Sequence, residues 1–140
     1  MNDYFMSEAL KEAIISYQND EIPVGCVIVC DNTIVARGHN CKETTNNAIM
    51  HAELLAVDRA CKKLKSWRLD NCILYTTLEP CLMCVGAIIE SRIKHVYYGT
   101  KSNSKQMYAS NDLNGLRFYN MENKECSNIL SDFFRNKRKK

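Results

Sequence analysis

Between Asn71 and Gly99 the chain reads strand, helix, strand in fewer than 30 residues. Asn71–Leu78 alternates Ile73, Tyr75 and Thr77 on one face with Cys72, Leu74, Thr76 and Leu78 on the other. Pro80 stands where helices often start, Cys81–Ile89 continues as a helix, and Ile93–Gly99 returns to a strand. Two strands joined by a helix over so short a span run parallel with a right-handed crossover, and a parallel pair is covered on both faces.

The remaining segments fit the same architecture. Phe5, Met6, Ala9, Leu10, Ala13, Ile14 and Tyr17 recur at three- and four-residue intervals, which predicts a helix over 5–17. Pro23 and Gly25 end that pattern; Val24–Cys30 is a β-branched run, Asp31-Asn32 a turn signal, and Thr33–Gly38 a second strand, together a hairpin. Asn40–Asn47 is a polar loop. A second helix covers His51–Leu64, with Leu54, Val57, Cys61 and Leu64 on one face and Asp58, Arg59, Lys62 and Lys63 on another. Lys101–Asn123 has no steady period and receives no element, whereas Cys126–Phe134 supports a final helix. The expected fold class is α/β, helices on both faces of a mixed sheet, in one domain spanning 1–140.

Composition narrows the class further. Hydrophobic residues at 46% and charged residues at 25% exclude disordered and collagen-like chains. No run of 18 residues is apolar and uncharged, and Asp3, Glu8, Lys11 and Glu12 interrupt the first 15, so the chain reads as soluble, unexported and cytoplasmic, without a membrane partner. The eight cysteines are then expected to be mostly reduced thiols. The net charge of +3 is uneven: Arg135, Lys137, Arg138, Lys139 and Lys140 supply five of 19 basic residues, and without them 14 face 16, or −2. Such a tail either holds phosphates or is simply solvated.

Pro80-Cys81-Leu82-Met83-Cys84 carries the first chemical signal. At a helix start, residues three apart share a face, so both sulfurs converge, and the free amides of the first turn favour thiolate. The pair alone fits a redox dithiol, half of a four-cysteine zinc site, part of a catalytic zinc site or two buried thiols. Cys26 and Cys30 fail as the other half of a structural site, because four residues of strand separate them by about 13 Å. His51-Ala52-Glu53 is the second signal: at the first turn of a helix both outer side chains can bend over the end into one volume. His51, Cys81 and Cys84 then make three zinc ligands with a fourth position open, and Glu53 is a spare acid for moving protons. On their own, His51 also reads as a cap or surface residue, and Cys41, Cys61, Cys72 and Cys126 as apolar fillers or surface thiols.

This spacing resembles the zinc cytidine/deoxycytidylate deaminase superfamily, whose signature is H-x-E followed by P-C-x-x-C. Glu21-Ile22-Pro23-Val24-Gly25, Asn40, Thr77-Leu78-Glu79-Pro80-Cys81, Ser91-Arg92-Ile93 and Leu130-Ser131-Asp132-Phe133-Phe134-Arg135 are similar to the bacterial tRNA-specific adenosine deaminases within it. The resemblance implies a three-layer α/β/α fold on a five-stranded sheet and one Zn²⁺ per subunit on His51, Cys81 and Cys84. It implies deamination of adenosine to inosine at the wobble position of a tRNA anticodon loop, by a zinc-bound hydroxide with Glu53 as proton shuttle. It places Asn40, Ile22, Pro23, Ala52 and Pro80 at the base and Ser102, Phe133, Arg135 and Lys137 at the RNA, in a homodimer. Without it, Asn40 is a turn residue, Pro23 a helix stop and Phe133 core.

Two departures stand out. Thr100-Lys101-Ser102-Asn103-Ser104-Lys105-Gln106 replaces the family's acidic residue and following Lys-Thr-Gly-Ala-like run, and Ile49-Met50 replaces Thr-Ala before the histidine, giving a bulkier pocket rim. Two other functions compete: a deaminase of a free base such as guanine or cytosine, and a non-catalytic zinc-bearing RNA-binding module, against which an unligated Glu53 stands.

Overall fold

The computed structural model describes residues 2–102 and 115–138. A first helix, α1 (Asn2–Gln18), leads into the hairpin β1 (Gly25–Cys30) and β2 (Thr33–His39). The turn residues Asp31 and Asn32 both take positive φ, 51° and 61°, the conformation a two-residue hairpin turn requires. A short helix α2 (Lys42–Thr45) precedes α3 (Ala52–Leu64), then β3 (Cys72–Leu78), α4 (Leu82–Glu90), β4 (His95–Thr100), β5 (Arg117–Asn120) and α5 (Lys124–Arg138).

The strands form one mixed sheet in the order β2-β1-β3-β4-β5. β1 pairs antiparallel with β2 and β3, whereas β3–β4 and β4–β5 are parallel. The expected parallel pair flanking α4 is thus present. Ala52, Ala56 and Ala60 of α3 and Val85 and Ile88 of α4 pack on one face with Cys26, Ile28, Leu74 and Val96. On the other, Phe5, Met6, Ala9, Leu10 and Ala13 of α1 and Cys126 of α5 pack with Val27, Val29 and Tyr75. Helices cover both faces in three layers, as the β-branched and alternating strands require.

Three expectations change. The polar stretch 40–47 contains α2, a single turn without an apolar face. The unassigned region 101–123 supplies the edge strand β5, parallel to β4, while its residues 103–114 lie outside the described residues. The strand expected from Ile93 begins at His95.

The topology collects one end of the sheet. Because α3 and α4 both start at the carboxyl end of β3, their first turns meet there, and the start of antiparallel β1 joins them: the Gly25 amide donates to Thr77 Oγ1 at 3.1 Å. Gly38 brings α3 close, since a Cβ there would stand 2.4 Å from the Ala52 carbonyl and 2.9 Å from the Ala56 nitrogen. Among the described residues, no helix is long and apolar enough to cross a membrane.

Candidate active site

His51 and Cys81 occupy equivalent places, each the residue before a helix. Both have extended backbone, φ −87°, ψ 153° and φ −77°, ψ 172°, and neither side chain caps its own helix. Freed from capping, the two side chains turn toward each other, and Cys84 joins from the first turn of α4. Cys81 Sγ and Cys84 Sγ lie 3.7 Å apart; His51 Nδ1 is 3.7 Å from the first and 3.6 Å from the second. Tetrahedral bonds to one zinc ion place two sulfurs about 3.8 Å apart, and a sulfur and an imidazole nitrogen about 3.6 Å apart. The triangle fits that ion without rearrangement. Among the described residues, this is the one group of three or more His, Cys, Asp or Glu side chains close enough to hold a metal.

The electrostatics agree with a cation site. The hydrogen bond with Cys84, then the His51 imidazole, draws the Cys81 thiol down to about 3, whereas the same bond and burial push Cys84 up. The Cys81 sulfur in turn raises His51. Glu53, in the first turn of α3 and only 4% exposed, is pushed up to about 7 by burial, against the pull of the adjacent imidazole. The three ligating side chains and the carboxyl named from sequence therefore do meet.

His51, Glu53 and Cys81 line a pocket of about 270 Å³ together with Ile22, Val24, Asn40, Lys42, Ala52, Leu78, Glu79 and Ser102. Asn40 is held on every side. Its Nδ2 donates to the Ile22 carbonyl at 3.0 Å, its Oδ1 accepts from the Lys42 amide, and its own carbonyl accepts from Ser16 Oγ at 2.8 Å. The loop beyond it is gripped by Glu21, 1% exposed, whose carboxylate accepts the amides of Glu43 and Thr44. Burial would raise that carboxyl, but the Thr44 side chain and these two amides outweigh it and hold it below the usual range. Ser102 donates its amide to Glu79 Oε1 at 3.1 Å, which ties the altered loop to the rim.

Two residues expected at the base lie outside this lining. Pro23 and Pro80 are buried and absent from the pocket wall, which Ile22 and Val24 form on one side and Leu78, Glu79 and Cys81 on the other. Along an extended chain neighbours face opposite ways, so Pro23 turns from a pocket that Ile22 and Val24 line. Lys42, Glu79 and Val24 are wall residues that the motif reading did not select.

A groove of about 710 Å³ adjoins the pocket and shares Ile22, Leu78 and Ser102 with it. Thr100, Lys101, Ser127, Leu130, Ser131, Phe134, Arg135 and Arg138 complete its lining. Arg135 lines this groove, its guanidinium 2.6 Å from Asp132. Phe133 and Lys137 do not. Phe133 is 6% exposed and meets the Tyr17 ring edge-on at 5.8 Å, because it shares the apolar stripe of Cys126 and Ile129. Lys137 is paired with Asp20 at 2.8 Å. The outward aromatic is Phe134, 42% exposed. Lys139 and Lys140 lie outside the described residues.

A family model for MafB19-like deaminases matches residues 1–138. The tRNA-specific adenosine deaminase of Streptococcus pyogenes serotype M18 is 45% identical over 98% of this chain and 92% of its own. A solved structure from a study of A-to-I editing by tRNA:A34 deaminases at the wobble position of transfer RNA is 32% identical, covering 91% of this chain and 99% of that one, with a TM-score of 0.83. The guanine deaminase of Bacillus subtilis is also 32% identical, over 96% and 93%, with a TM-score of 0.69. Matched over nearly its whole length in sequence and fold, the chain belongs to the family of tRNA-specific adenosine deaminases.

Proposed function

We propose that this protein hydrolyses adenosine to inosine at the wobble position of a tRNA anticodon loop. The observation that carries the reading is the junction of two cavities. A pocket the size of one base, with His51, Glu53 and Cys81 on its wall, opens into a groove lined by Lys101, Arg135, Arg138 and Phe134. A free base has no use for the second cavity. Single-stranded RNA does, since exposed aromatic faces and guanidinium groups hold splayed bases and phosphates.

His51, Cys81 and Cys84 would hold one Zn²⁺, which as a Lewis acid lowers the pKa of water near neutral pH. Two thiolates reduce the electrophilicity of such an ion, so a separate group is needed to move protons. Glu53 serves: buried, with its carboxyl raised to about 7, it can take a proton from water as the water oxygen bonds to C6 and deliver that proton to N1. It then carries the remaining hydroxyl proton to the amino group, so that the C6–N bond breaks, ammonia leaves and C6=O remains. Asn40 orients the base. Its Oδ1 is occupied by the Lys42 amide and one Nδ2 hydrogen by Ile22, so it offers the base a donor and selects an acceptor nitrogen on the purine edge. The buried methyl of Ala52 and the side chains of Ile22 and Val24 supply apolar contact.

Ile49 and Leu82, each more than half exposed, and Met83 are large apolar side chains open to solvent, which supports a homodimer. A cytoplasmic location follows from a tRNA substrate. The guanine deaminase likeness favours one competing reading, turnover of a free base. Incubating the purified protein with total tRNA and sequencing for A-to-inosine changes separates the two. A wobble-position change supports the proposal; no change, with turnover of guanine or cytosine, overturns it.

A further inference from the structure

Six groove residues, Ser127, Leu130, Ser131, Phe134, Arg135 and Arg138, come from α5, so the groove is only as well defined as the setting of that helix. Behind them α5 buries just Cys126 and Phe133. Cys126 fixes the beginning, where its sulfur lies against Gly99. Phe133 is the one buried side chain in the second half, and an edge-on contact with the Tyr17 ring leaves the helix free to rock about its axis.

The Tyr17 hydroxyl removes that freedom. It donates to one oxygen of the Asp132 carboxylate and accepts from Asn136 Nδ2 at 2.8 Å. Residues 132 and 136 are one helical turn apart on either side of Phe133, so a single oxygen on α1 grips two successive turns of α5. Asp132 then continues the chain of contacts outward, its other oxygen accepting from Arg135 at 2.6 Å. One path thus runs from α1 through a hydroxyl and a carboxylate to a guanidinium in the groove wall. Asp20, in the turn after α1, adds a second, exposed tie to α5 through Lys137.

We infer that Tyr17 is a positioning residue for RNA binding: through Asp132 and Asn136 its hydroxyl sets the rotation of α5, and with it where Phe134 and Arg135 meet the RNA. This rests on the reading that the groove takes tRNA. Neither Tyr17 nor Asn136 lines the pocket or the groove, so their effect is on KM and not on the chemical step.

Tyr17→Phe keeps the ring against Phe133 and deletes only the hydroxyl. With an anticodon stem-loop RNA as substrate, KM rises at least ~5-fold, the size of one lost hydrogen bond, while kcat at saturating RNA stays within about twofold. Asn136→Ala raises KM in the same direction and carries the test should Tyr17→Phe fail to fold. The salt dependence of KM flattens in both as Arg135 loses its setting. A lower Tm with unchanged KM in the folded variant, or a fall in kcat at constant KM, overturns the inference. Absence of turnover by the unsubstituted protein is a different result and overturns the reading of the groove itself.

Discussion

The pocket and the groove share three wall residues but are held by different forces. The pocket is built from backbone: two helix starts, the paired ends of β1 and β3, and a loop whose amides end on Asn40 and Glu21. Every described buried side-chain polar atom there has a partner. The groove has one wall from a single amphipathic helix, fixed by two buried side chains and a polar clasp. Chemistry needs reacting groups placed to a fraction of an ångström, whereas loop RNA is held by stacking and charge, which tolerate looser geometry. The contrast predicts that pocket substitutions act on kcat and groove substitutions on KM.

The largest effect expected is that of Glu53→Ala, a loss of turnover between ~10² and ~10⁴-fold, the range for a positioned acid–base group. Near-normal turnover in single-turnover assays would assign the proton to another residue. Next is Gly38→Ala. The added methyl meets the Ala52 carbonyl at 2.4 Å and must push the first turn of α3 off the sheet, moving His51 and Glu53 together. A displacement of that kind costs up to ~10²-fold in kcat, with KM for RNA little changed. An equal loss in KM would show that pocket and groove are not mechanically separate.

Phe134→Ala tests the other side of the comparison. Stacking of a base on an aromatic ring contributes about 1–3 kcal/mol, so KM for stem-loop RNA rises while kcat holds. The same substitution at buried Phe133 instead lowers Tm, the cost of truncating a core ring being about 3–5 kcal/mol.

The smallest effect is on acid stability. Glu21 is held below its unfolded value, so it contributes stability above about pH 4.3 that is lost as pH falls through its lower native value. Glu8 behaves alike, lowered by its hydrogen bonds to Lys11 and then Arg37. Glu21→Gln removes one of these contributions, so thermal melts at pH 7 and pH 3 should differ less in the variant than in the unsubstituted protein. An unchanged difference would show that the loop grip does not depend on charge.

How much of this was legible in the sequence also divides along the same line. The helix starts were legible because His51-x-Glu53 and Cys81-x-x-Cys84 are fixed by local geometry, and Val24–Cys30 and Asn71–Leu78 by side chains that must be covered. β5 was not: four residues with little burial at a sheet edge carry no alternation, and their pairing is imposed by β4. Nor was α2, whose single polar turn is held from outside by Glu21. Phe133 could have been assigned to the core from its seven-residue spacing to Cys126, and Pro23 to the far side of an extended chain that Ile22 and Val24 bring to the pocket. The motif located the reacting groups more reliably than it located their neighbours, because neighbours depend on which way each strand residue faces.

The central claim is that three side chains hold the ion while Glu53 stands apart from it. Metal content of purified variants tests it most directly. Elemental analysis should find about one zinc per chain in the unsubstituted protein and in Glu53→Ala, and little in folded Cys84→Ala. Loss of zinc in Glu53→Ala, or its full retention in Cys84→Ala, would contradict the account.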